Sequence, residues 1–176
     1  AADGNFRMVF FFCSFCRFKK RFGLSSAAAR RAVRSSSSFL RRSVAIGERV
    51  IAENPGAPVH PDILVALNNL AASYFAQTRY RDAEPLFRRF AEIQRKSHGE
   101  KDPHYAIAVL NLAEVRAYLG ASEEAEKLYL EALDILIQVN GEDHPEVAYS
   151  RCLLADLYRG LGRFGEAEAL YRQALA

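Results

Sequence analysis

From Pro61 onward the apolar residues fall at helical spacing. Ile63, Leu64, Leu67, Leu70, Ala71 and Tyr74 load one face of a 3.6-residue helix, so a first helix, A, is predicted over 61–77. Pro61 suits its first turn, where the missing N–H would have no intrahelical partner. Thr78-Arg79 makes a turn, and Ala83, Leu86, Phe87, Phe90, Ala91 and Ile93 then define a second helix, B, over 81–98. Gly99 stops that helix as a C′ glycine.

This pattern returns with a step of 42 residues: Pro61, Pro103 and Pro145, then Leu70-Ala71, Leu112-Ala113 and Leu154-Ala155. Later in each unit come Ala83, Ala125 and Ala167, then Leu86, Leu128 and Leu170, then Phe87, Tyr129 and Tyr171. A fixed period of this size is the signature of stacked supersecondary units that bury a continuous core between neighbours. The alanines recur for a steric reason, since they let helices A and B approach while the aromatic residue fills the space beside them. The expected class is therefore all-α, an α-solenoid of antiparallel helix pairs, with units at 60–101, 102–143 and 144–176. The third unit stops inside or just after its B helix and reads as truncated.

Ahead of the array, Leu40, Val44, Ala45, Ile46, Val50 and Ile51 load one helical face, and Asn54-Pro55-Gly56 supplies turn chemistry. Residues 39–59 are read as a degenerate capping helix and its linker, the second helix of a unit that lacks its first. Residues 1–38 sustain no periodicity and are predicted to be largely disordered. They change the charge picture, because residues 1–47 hold ten Lys/Arg against Asp3 alone, whereas residues 48–176 hold 14 basic and 20 acidic residues. The formal +3 is thus a basic leader on an acidic array. Three readings of the leader stay open: a disordered basic segment or ill-defined gene start, an organelle transit peptide, or an arm for nucleic acid or anionic lipid. The apolar run Met8–Cys16 has its positive charge behind it rather than in front, which disfavours a secretory signal.

No apolar run approaches 18 residues, so no membrane span is expected. Cys13, Cys16 and Cys152 are too few and too scattered for a disulfide framework, and the lone CxxC lacks a second ligand pair. A reducing, cytoplasmic setting is expected, with organelle targeting through the leader as the alternative. Of the histidines His60, His98, His104 and His144, the first and last hold one repeat position directly before proline, a structural place at a helix start. HExxH, GxSxG and Gly-rich phosphate loops are absent. Asp82, Glu84, Glu123 and Glu124 stand in the first turns of B helices, where the helix dipole favours negative charge. Ser35–Ser38 is a low-complexity run open to phosphorylation. No catalytic, cofactor-binding or metal-ligating set emerges, and no enzyme is expected.

The run Leu67–Ile93 (LNNLAASYFAQTRYRDAEPLFRRFAEI), the recurring His-Pro and the Gly-Glu-Asp-His-Pro at 141–145 closely resemble tetratricopeptide repeats, in the 42-residue variety of kinesin light chains. The third unit carries the pattern fully, with Leu154-Ala155, Tyr158, Gly162, Phe164, Ala167, Tyr171 and Ala174. The second departs at Arg116 and Ser122, and the first at Thr78 and Phe90.

The resemblance implies a protein-interaction scaffold whose A helices line a concave groove for a peptide or partner segment. Its positions would show Val65, Asn68, Asn69, Ala72 and Phe75 from the first unit, and Ile107, Leu110, Asn111, Glu114 and Tyr118 from the second. Tyr149, Cys152, Asp156 and Arg159 come from the third. Asn69 and Asn111 share one repeat position, and an amide both donates to and accepts from a peptide backbone. Ala72, Glu114 and Asp156 stand where a clamp for a C-terminal carboxylate would need basic or amide groups. A ligand with a basic or neutral segment is expected instead. Small-molecule substrates and nucleic acid are not expected as partners, whereas end-to-end association through an uncapped third unit is. The alternative function is a piece of a kinesin-light-chain-like motor adaptor or a repeat-containing signalling regulator.

Overall fold

The computed structural model of the chain describes residues 27–53 and 59–175. Its described elements are seven helices: α1 (Ala27–Glu53), α2 (Pro61–Ala76), α3 (Tyr80–His98), α4 (Pro103–Tyr118), α5 (Ser122–Asn140), α6 (Pro145–Gly160) and α7 (Phe164–Leu175). Each helix packs on its sequence neighbours, and α4 also touches α6. That is the contact map of a solenoid, in which every unit rests on the next. The predicted A helices are α2, α4 and α6, and the predicted B helices are α3, α5 and α7.

The helix starts repeat one chemistry. His60 Nδ1 accepts from the Asp62 N–H at 3.3 Å, Asp102 Oδ1 from the His104 N–H at 2.8 Å, and His144 Nδ1 from the Glu146 N–H at 3.3 Å. Each satisfies an N–H that the first turn leaves without a partner. His60 and His144 thus serve as caps, with proline following as the first helical residue.

The turns between paired helices also repeat. The N–H groups of Arg79, Ala121 and Arg163 donate to the carbonyls of Tyr74, Arg116 and Tyr158 at 3.0, 3.0 and 2.9 Å, the 6→1 bond of a Schellman motif. Such a motif needs a left-handed residue, which Gly120 (φ 83°) and Gly162 (φ 78°) supply. In the first unit Thr78 holds this place at φ 61°. A β-branched residue is strained there, its Cβ crowding the backbone.

Helices A and B meet along alanine. Ala71, Ala113, Ala155, Ala83 and Ala125 are all fully enclosed at 0% exposure, and Ala167 is at 3%. Phe87 and Tyr129 are buried next to them, and the core runs on from unit to unit through Leu67, Leu70, Val109, Leu136 and Leu154.

Two departures from the repeat pattern have a structural answer. Tyr158 donates its hydroxyl to Glu126 at 2.7 Å, and Arg116, at the equivalent place, reaches Glu84 at 3.0 Å and Glu124 at 2.7 Å. Arginine therefore keeps the tie between units that tyrosine makes elsewhere. Phe90, where the other units carry alanine, is buried with Ala91 and Ala108, flanked by Leu64 and Tyr105.

The capping helix expected within residues 39–59 lies within α1, which spans Ala27–Glu53. Alanine and arginine are strong helix formers, and adding a residue to an existing helix requires neither an apolar face nor a cap. The disorder expected of residues 1–26, their CxxC and apolar run, and the Asn54–Gly56 turn lie outside the described residues. α1 docks on α2 through Val44, which is buried, and Gly47, where an added Cβ would come within 2.7 Å of the Ile63 side chain.

Replacing Thr78 by glycine is expected to raise the unfolding free energy by up to about 1 kcal/mol, the relief of strain outweighing the glycine's extra freedom in the unfolded chain and the lost hydroxyl bond to Gln77 O. Urea denaturation of the two proteins measures it, and an unchanged or lower midpoint would refute the strain.

Candidate functional site

The inner face is the exposed side of the A helices. Its first cluster joins units one and two. Asn111 Nδ2 donates to Asn68 Oδ1 at 3.3 Å, linking α4 to α2 through half-buried side chains. Asn69, the repeat equivalent of Asn111, is half-buried too, but the amide of Asn111 is turned to Asn68 instead of forming a ladder with it. One turn or two further on stands an aromatic group. Phe75 meets Tyr118 edge-on at 5.1 Å and Tyr80 at 5.1 Å, while Tyr80 and Tyr118 stack at 4.8 Å with 17° between their planes. Edge-to-face and offset-stacked pairs at such distances are the favourable arrangements of aromatic quadrupoles.

Exposure divides their roles. Phe75 is 5% exposed and so acts as backing, a correction to its expected place on the groove surface: its ring is covered by the two tyrosines. Tyr118, by contrast, is 56% exposed. Tyr80 opens a B helix and was not among the expected groove residues. The signal for it was available, since Tyr80 and Phe164 hold one repeat position, but only the three-dimensional turn brings it against an A helix.

The second cluster joins units two and three. Asp156 Oδ1 receives the guanidinium of Arg159 at 2.8 Å and the hydroxyl of Tyr171 at 2.8 Å. Glu114, one unit earlier at the same repeat position and one turn from Tyr118, has no such partner: it makes no hydrogen bond or salt bridge among the described residues. Burial of its carboxyl, and then the nearby charge of Asp156, push it from 4.5 up to about 7. On α5, burial, followed by the charge of Glu114, holds the buried Tyr129 phenol well above the ordinary range. Tyr149 and Cys152 are half-buried on the same face of α6.

Among the described residues no group of three or more His, Cys, Asp or Glu is placed to hold a metal ion. What the face offers is an exposed ring, hydrogen-bonding amides and an unpaired carboxyl, along a row of helices that hold them at fixed spacing.

The family model described as "Tetratricopeptide repeat" matches residues 62–138 and 105–176. The chain belongs to the tetratricopeptide repeat family. Among solved structures, this tetratricopeptide array is similar to BtubC (BKLC) from P. vanneervenii, with TM-score 0.63 and 24% identity over 82% of this chain and 56% of that one. The chain thus spans a little over half the length of that structure. It is also similar to a candidate kinesin light chain from Podosopora anserina built of nearly identical TPR-like repeats, with TM-score 0.60 and 22% identity over 94% of this chain and 83% of that one. Both likenesses are of fold. No curated protein sequence matches the chain. No helix among the described residues is long and apolar enough to cross a membrane.

A half-buried carboxyl without a partner is destabilising when ionised, and this sets a pH dependence. Between about pH 4.5 and 7 the folded Glu114 keeps a proton that the unfolded chain has lost, so stability falls as pH rises through that window. Glu114→Gln is expected to be as stable as the parent at pH 4 and more stable at pH 8, by up to about 3 kcal/mol. Urea denaturation at both values measures this, and a difference that does not grow with pH would contradict it.

Proposed function

We propose that this tetratricopeptide array is a protein-interaction scaffold that holds an extended segment of a partner protein along its inner face. The observation that carries this reading is the Tyr118 ring: a large aromatic side chain left more than half exposed, stacked on Tyr80 and backed by Phe75, beside the Asn68–Asn111 amides. A rigid aromatic anchor flanked by groups that pair with a peptide backbone is how interfaces concentrate affinity in few residues. The preformed helix row spares the partner's site the cost of ordering on binding. Asn69 and Asn111 would hold backbone amides, Tyr118 would take an apolar or flat side chain, and Tyr149, Asp156 and Arg159 would continue the track into the third unit. The reading assigns no catalytic step to the chain and places it in the cytoplasm.

A second reading, that the array is a section of a kinesin-light-chain-like motor adaptor or a signalling regulator, draws support from the fold likeness to the Podosopora anserina protein. In that case too the groove would be the contact surface, and only the partner would differ.

An affinity capture with the full chain, comparing the parent with Asn69→Ala/Asn111→Ala/Tyr118→Ala and with the convex-face variant Lys127→Ala, tests the groove. Partners held by the parent and Lys127→Ala are expected to fall at least tenfold with the triple variant at equal folded concentration. Equal capture by all three proteins would end the groove proposal.

A further inference from the structure

Glu114 sets a problem that the fold does not solve. Several carboxylates elsewhere on the array are matched: Glu84 with Arg88 and Arg116, Glu126 with Arg163, Asp156 with Arg159, Glu142 with Arg151. Glu114 alone combines an inner-face position and a desolvated carboxyl with no hydrogen bond or cation among the described residues. Glu114 is half-buried, and a partly desolvated carboxylate with no partner costs stability that an incoming cation would restore.

The groups around it narrow the choice. The charge of Asp156 on α6 adds to the negative potential at Glu114, Glu114 in turn acts on Tyr129 of α5, and Tyr118 lies four residues on along the same helix. Arg159, three residues beyond Asp156, is bound to that aspartate. α2 brings the amides Asn68 and Asn69, and its sole charged residue, Asp62, lies at the opposite end of that helix. Tyr118 stands one turn from Glu114 with its ring more than half exposed. A carboxylate beside an accessible aromatic face is complementary to one kind of side chain, a cation with an apolar stem, which pairs with the acid and lies on the ring.

We propose that the patch made by Glu114, Asp156 and the Tyr118–Tyr80 stack receives a lysine or arginine side chain of the bound partner segment. This rests on the groove reading above and adds its chemistry: the partner carries a cation where the segment crosses from the second unit to the third. Binding of the cation supplies the ion pair that Glu114 lacks, and a proton leaves the carboxyl when the cation arrives.

The test uses the full chain and a fluorescent library of nine-residue extended peptides, with the central residue fixed in turn as Lys, Arg, norleucine, Gln or Glu. Binding is followed by anisotropy from pH 5.5 to 8.5. Peptides with central Lys or Arg are expected to bind at least tenfold more tightly than the norleucine set at pH 8, with the preference shrinking below pH 7 as Glu114 protonates. Glu114→Gln should remove both the preference and its pH dependence, Tyr118→Ala should weaken the cationic sets, and Asp134→Asn on the convex face should change neither.

Equal binding of cationic and norleucine peptides that still falls with Asn69→Ala/Asn111→Ala would overturn the cation site and leave the groove standing. No binding by any set would overturn both. Cationic binding that appears only after Lys19, Lys20 and Arg21 are changed to serine would assign the patch to the chain's own leader and overturn the partner assignment. A preference that survives Glu114→Gln would place the cation elsewhere.

Discussion

The close approach of helices A and B across alanine is the constraint on which the array depends. Ala71 faces the region of Ala83, Ala113 that of Ala125, and Ala155 that of Ala167, and in each unit these residues are shut away from solvent. A methyl group at these six positions is the largest side chain that lets two backbones lie near enough for Phe87 or Tyr129 to close the space beside them. A paired unit made this way cannot bury its outer faces alone. It therefore stacks, and stacking at a constant step turns three copies of a sequence into one continuous core.

The inner face follows from that stacking. Because α2, α4 and α6 repeat in register, residues at one repeat position on successive A helices become neighbours in space, and the array offers a track instead of a pocket. Along that track the ties between units are made by different residues doing one job. Tyr158 reaches Glu126, and Arg116 reaches Glu84; within single units Arg163 lies over the Tyr158 ring at 3.9 Å and Arg79 over Tyr74 at 4.4 Å. These contacts tie neighbouring helices together, while Tyr118 keeps its ring more than half exposed although it stacks on Tyr80, and Glu114 makes no hydrogen bond or salt bridge among the described residues.

Much of this could be read from the residues alone, for identifiable reasons. Proline before a helix, glycine after one and alanine at a contact act locally, so the 42-residue step revealed every helix from Pro61 onward and the caps at His60 and His144. The capping helix was legible from the apolar stripe Leu40–Ile51, whereas Ala27–Ser38 carries no periodic trace. Thr78 escaped because the left-handed conformation belongs to the turn it occupies and not to threonine. Within the groove the amides and acids were legible as repeat positions. The aromatic stack was not, since Tyr80 reaches Tyr118 from a different kind of helix in the neighbouring unit. Nor was the contrast between Glu114 and Asp156, whose repeat position is the same: only Asp156 has an arginine three residues on and Tyr171 within reach.

The claim that small residues hold the whole together is tested most directly at the central seam. Ala113→Leu places three further heavy atoms where the structure leaves no room, and the unfolding free energy from urea denaturation, followed by circular dichroism, reads the result. A loss of about 1–3 kcal/mol with helical content unchanged in the absence of urea is expected. A variant as stable as the parent would mean that helices A and B do not meet there as closely as described, and the array would need another account.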